Sequence, residues 1–137
     1  MATIWWEEPI ALPADTAWAA LREVGRAHEL FAPVLTAATL DGEVRTVTFA
    51  NGMTVRERIV ARDEQRRRLC YAVLDDVFEH HSASMQLVPV DDSHCRFVWI
   101  SDFLPDDRAD MVCPLVEQGA HALRANLEAA TRPLASP

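Results

Sequence analysis

Lysine is missing from this sequence: all thirteen of its basic residues are arginine. A Schiff-base mechanism needs a side-chain amine, so a catalytic lysine is excluded. Positive charge is scarce in general. Twenty-one acidic residues leave a net charge of −8, which argues against a nucleic-acid surface or an anionic membrane surface, since both need clustered cations. The densest basic run, Arg66-Arg67-Arg68, stands alone and reads as a solvated turn. Cysteine is limited to Cys70, Cys95 and Cys113. An odd count without CxxC spacing suggests reduced thiols and a cytoplasmic location. A thiol nucleophile is not expected, because Cys70 alternates to the face opposite Tyr71 and Cys113 has no adjacent base. The N-terminus lacks a basic stretch followed by an apolar run, so no signal peptide is read. No segment reaches the roughly 18 apolar residues of a membrane span. Glu79-His80-His81, with His94 or His28, comes nearest to a metal set, but neighbours on a strand point to opposite faces. Neither a metal nor another cofactor is expected.

What is present suffices for a core. The 137 residues are half hydrophobic, enough for one domain over 1–137 with only the last few residues disordered. The C-terminal run 106–132 has apolar residues at Val112, Leu115, Val116, Gly119, Ala120, Leu123, Leu127 and Ala130, the spacing of a helix with one buried face. Glu117, Gln118, His121, Arg124 and Glu128 fall on the other face. Asp106 and Asp107 suit the N-terminal end, and Arg132 with Pro133 marks the stop. Pro114 either kinks the first turns or opens the main segment. Residues 43–103 read as strands and turns. Upstream, residues 3–10 form a strand with Ile4, Trp6, Glu8 and Ile10 on one face. Pro13 opens a helix that ends at Gly25. A second short helix, about 26–31, stops before Pro33, and a short strand covers 34–40. The order β-α-α-β-β-β-β-β-β-α predicts an antiparallel sheet and the α+β class. Trp5, Trp6 and Trp18 are expected in the core.

Period-two alternation divides each strand into two faces. Met53, Val55, Glu57, Ile59 and Ala61 share the concave face, which leaves Glu57 among apolar residues. Leu69, Tyr71 and Val73 point inward on the next strand, followed by His81, Ala83, Met85 and Leu87, then Phe97, Trp99, Ser101 and Phe103. The hairpin at Asn51-Gly52 has two possible registers. A two-residue loop sets Thr46 opposite Glu57, whereas a bulged loop turns Arg45, Val47 and Phe49 inward. The bulged form is preferred because it buries Val47 and Phe49 and offers Arg45 as a charge partner for Glu57.

Several stretches carry a resemblance to a known family. They are Pro13-Ala14-Asp15-Thr16-Ala17-Trp18, the strand from Val55 to Asp63, the strand 67–73, Ser101 to Pro105, and the helix Gly119 to Leu127. In this order and spacing they resemble the SRPBCC superfamily, the helix-grip fold of START lipid-transfer domains and birch-pollen-type allergens. The polyketide cyclase/dehydrase and lipid transport branch is the most similar. The resemblance implies a seven-stranded curved antiparallel sheet wrapped around a long C-terminal helix, two short helices after strand 1, and a ligand cavity between sheet and helix. In the superfamily's plant hormone receptors, the positions matching Glu57, Tyr71 and His81 line that cavity. His81 replaces the usual tyrosine. The receptors' gate loop is reduced here to Ala50-Asn51-Gly52-Met53, which speaks against a hormone-receptor role.

The expected site therefore has a polar end at Glu57, His81, Tyr71 and Arg45. The rest of its wall comprises Val47, Phe49, Val55, Ile59, Val73, Ala83, Met85, Phe97, Trp99 and Ser101 from the sheet, and Val112, Val116, Gly119, Ala120 and Leu123 from the helix. A carboxylate on an apolar face must be paired, hydrated or protonated, so Glu57 reads as a ligand anchor, as a structural ion pair, or with His81 as an acid/base pair. Gly119 reads as close helix–sheet packing or as space for a ligand. The leading expectation is a binder of a small lipophilic molecule, such as an aromatic polyketide or a fatty-acyl compound, acting as a monomer or homodimer. The alternatives are a cofactor-independent polyketide cyclase/dehydratase using Glu57 and His81, and a non-catalytic partner or stress-related protein. A polyketide synthase gene next door would favour the enzyme.

Overall fold

Seven strands form one antiparallel sheet in the order β1-β7-β6-β5-β4-β3-β2. The computed structural model describes residues 2–130. Strand β1 spans Ala2–Ile10, and helices α1 (Ala14–Leu21) and α2 (Ala27–Leu30) follow it. The remaining strands are β2 (Leu35–Asp41), β3 (Val44–Phe49), β4 (Thr54–Asp63), β5 (Arg68–Val73), β6 (His80–Asp91) and β7 (His94–Leu104), and helix α3 runs from Ala109 to Ala130. Because β1 pairs with β7, the two short helices carry the chain across to the far edge, where β2 begins the meander. This is the helix-grip architecture, with the curved sheet holding α3 against its concave face.

The periodic stripe of α3 is the buried one: Val112, Val116, Gly119, Ala120, Leu123 and Leu127 are all inside. Ala130 is exposed. Pro114 does not divide the helix. It lies six residues in, where the missing N–H leaves only the Asp110 carbonyl without its helical partner. Asp106 and Asp107 form a short 3₁₀ turn ahead of the helix rather than its first turn. The expected stop at Arg132 and Pro133 lies outside the described residues.

Three local expectations are corrected. Helix α1 ends at Leu21, and Gly25 belongs to a 3₁₀ turn at Val24–Arg26; Val24 is buried nonetheless. Trp5 is 61% exposed, because alternation on β1 turns it outward between the inward-facing Ile4 and Trp6. Ala61 is exposed too. The β4–β5 register skips Val60, pairing Ile59 with Tyr71 and then Ala61 with Cys70, so the strand's facing changes at the irregularity.

The β3–β4 hairpin takes the bulged register. Arg45 pairs with Glu57 and Thr48 with Thr54; the Phe49 N–H then bonds the Met53 carbonyl at 2.8 Å, and the Gly52 N–H bonds the Phe49 carbonyl at 2.9 Å. Gly52 sits at φ +91°, a conformation glycine adopts without strain. This one turn places Arg45, Val47 and Phe49 on the concave side.

Candidate functional site

A cavity of about 100 Å³ lies between the concave face of the sheet and the N-terminal half of α3. It is smaller than the roughly 300–1,000 Å³ usual for drug-sized ligands, and of the order of the roughly 150 Å³ that accepts a single benzene ring. Of the sequence-expected residues, Arg45, Val47, Phe49, Val55, Glu57, Tyr71, Val73, His81, Met85, Trp99, Ser101, Val112, Val116 and Gly119 lie on its wall. Ile59, Ala83, Phe97, Ala120 and Leu123 do not. They are buried in the packed core, where neighbouring side chains fill the space. The remaining wall comes from Ala27, Phe31, Val34, Leu35, Met53, Val77, Phe78, Met111 and Leu115. Most of these sit on connecting segments, to which strand or helix periodicity assigns no face. Met53, on the concave face by alternation, and Leu115, on the apolar stripe of α3, were legible but were not among the expected site residues.

Five side chains make the polar end. The Arg45 Nε donates to Glu57 Oε1 at 2.8 Å, and only 4% of Arg45 and 8% of Glu57 is exposed. A second Arg45 nitrogen reaches the Val24 carbonyl at 3.4 Å, and the guanidinium lies 5.3 Å from the centre of the Tyr71 ring, within cation–π range. The Tyr71 hydroxyl accepts a hydrogen bond from the Trp99 indole N–H at 3.1 Å. Burial first, and then the Glu57 charge, hold its pKa far above the ordinary phenol range. Tyr71 is therefore protonated throughout the physiological range, and among the described residues its O–H has no acceptor in the protein.

His81 is held neutral. Its Nδ1 accepts the Val73 N–H at 3.1 Å, which places the imidazole proton on Nε2. That nitrogen lies 3.3 Å from Ser101 Oγ. Burial, then the nearby His80, pushes the His81 pKa down to about 4. Protonating His81 would turn Nδ1 into a donor facing another donor. Between pH 4 and the ordinary value near 6.5, the unfolded chain thus binds the proton that the folded chain refuses, so stability rises with pH across this window. We expect acidification from pH 7 to pH 5 to cost about 2 kcal/mol through this residue. In urea titrations at the two pH values, His81→Asn should lose that share of the pH dependence; an unchanged slope would place the titration elsewhere.

The family model described as polyketide cyclase / dehydrase and lipid transport matches residues 1–132. The chain belongs to that family. Among solved structures, a Thermobifida fusca protein is 28% identical, with a TM-score of 0.77 and 100% of both chains covered. Norcoclaurine synthase from Thalictrum flavum, in complex with dopamine and hydroxybenzaldehyde, is 16% identical with a TM-score of 0.74, covering 96% of this chain and 88% of that one. The di-domain ARO/CYC BexL from the BE-7585A biosynthetic pathway is 17% identical with a TM-score of 0.80, covering 97% of this chain and 48% of that one. No curated protein matches the sequence. No helix among the described residues is long and apolar enough to cross a membrane.

Within this family member, Gly119 serves close packing against Trp99. A Cβ at position 119 would stand 3.1 Å from Trp99 Cζ3 and 3.3 Å from Cη2. The space left by the glycine is therefore occupied by the indole, which in turn holds the Tyr71 hydroxyl. Gly119→Ala gains about 1 kcal/mol of helix propensity but must displace the ring at a cost of about 1–3 kcal/mol. We expect a net loss of up to about 2 kcal/mol and a shifted Trp99 indole N–H resonance. An unmoved resonance would contradict this coupling.

Proposed function

We propose that this chain binds a small lipophilic molecule bearing a hydrogen-bonding oxygen, with that oxygen on the Tyr71 hydroxyl and the rest of the molecule against Val55, Met85, Trp99 and Val116. The observation that carries the reading is the Tyr71 O–H, buried in an apolar cavity with no acceptor among the described residues. A buried donor without an acceptor is costly, and a ligand carbonyl or hydroxyl would satisfy it. Glu57 has a second carboxylate oxygen, and His81 with Ser101 has a hydroxyl, to complete the anchor. The family description and the ligands in the norcoclaurine synthase structure agree with an aromatic compound or a lipid fragment as the guest.

The cyclase or dehydratase reading rests on the family description alone. A poly-β-ketone needs more room than about 100 Å³, and His81 has spent its basic nitrogen on a backbone N–H, which leaves Glu57 without that proton partner. Calorimetric titration with single-ring ketones tests the binding reading. Tyr71→Phe should weaken affinity about three- to tenfold, the worth of one neutral hydrogen bond. An unaltered affinity would remove Tyr71 from the site.

A further inference from the structure

Two formal charges line the cavity, and they cancel. Among its lining residues, Arg45 and Glu57 are the charged ones, joined Nε to Oε1 at 2.8 Å. The sequence supplies no lysine that could add a cation. Arg45 is further engaged by the Val24 carbonyl and the Tyr71 face. An entering carboxylate would give up its water, find the one guanidinium already committed, and face the Glu57 charge in a medium where charges are weakly screened. A neutral carbonyl or phenol gives up far less hydration than a carboxylate and meets no charge repulsion. It meets the Tyr71 donor and an acceptor oxygen of Glu57 instead.

Building on the ligand-binding reading above, we infer that Glu57, by neutralising Arg45, keeps this pocket selective for uncharged oxygen-bearing ligands and closed to carboxylates of the same size. Glu57 masks Arg45, which is a latent anion site. Free fatty acids and aromatic acids are thereby excluded, and ketones, aldehydes and phenols are admitted.

Two single-ring probes test it, acetophenone and benzoate, each titrated at pH 7.5 into the wild-type protein and followed by backbone amide shifts of the cavity residues. Acetophenone should bind at least tenfold more tightly, a difference of about 1.4 kcal/mol. Benzoate binding as tightly as acetophenone would overturn the selection while leaving the ligand-binding reading intact. Cavity shifts from neither probe would overturn both. Glu57→Gln should raise benzoate affinity at least tenfold; a folded variant, checked by its melting transition, that still rejects benzoate would count against a masked Arg45. The double variant Arg45→Gln, Glu57→Gln leaves no formal charge on the cavity wall and provides a readout if the single variant does not fold. It should reject benzoate as the wild type does, and equal affinity for the two probes would contradict the proposal.

Discussion

Arg45→Met is expected to destabilise the protein by about 3–5 kcal/mol, the range found when one partner of a buried ion pair is removed. The geometry sets this expectation. Arg45 and Glu57 face each other across a β3–β4 pair, both are nearly inaccessible to water, and loss of the guanidinium leaves a carboxylate against Val55, Tyr71 and Val73. The pair itself need not be worth that much, because desolvating both charges offsets most of their attraction. Arg45→Met combined with Glu57→Leu should therefore recover most of the loss. Urea denaturation of the wild type, the single variant and the double variant measures both effects. A single variant as stable as the wild type would mean that the pair is screened by solvent.

Leu123→Ala should cost about 2–5 kcal/mol, from lost burial plus the cavity left behind. Leu123 is fully buried in the core cluster with Leu87, Phe97 and Leu127, and it lies one turn beyond Gly119, outside the ligand cavity. Its loss should lower stability while leaving ligand affinity largely unchanged. Leu127→Ala, nearer the end of the described helix, should cost less. Equal denaturation midpoints for Leu123→Ala and the wild type would contradict the helix phase observed here.

The fold was legible because its two repeating signals were clean. The α3 stripe has helical spacing, and the strands from β4 to β6 alternate strictly enough to identify Glu57, Tyr71 and His81 as inward-facing, whereas β7 is apolar on both faces around Trp99. The choice of hairpin register rested on burying Val47 and Phe49, and the same choice placed Arg45 against Glu57. The errors lie where periodicity fails. The Val60 irregularity turned Ala61 outward, and Trp5 was expected inside on aromatic character although its alternation opposed that. Part of the cavity wall, with Phe31, Val34 and Phe78, lies between the regular elements, where no repeat assigns a face. Alternation likewise does not separate a residue lining a void from one filling the core, which is why Ile59, Ala83, Phe97, Ala120 and Leu123 were expected on the wall. The Glu8 cluster also escaped notice. Glu8 was assigned to the inner face of β1 beside Trp6, but its partners His121 and Arg124 reach it only once α3 packs across that strand.

The central claim is that the cavity holds a small lipophilic molecule by its oxygen. A crystal structure of the protein soaked with acetophenone tests this most directly. The expected result is a ring packed against Trp99 and Val116, with its carbonyl oxygen within about 3 Å of the Tyr71 hydroxyl. Acetophenone absent from the cavity, or bound there with its oxygen turned away from Tyr71, would contradict it.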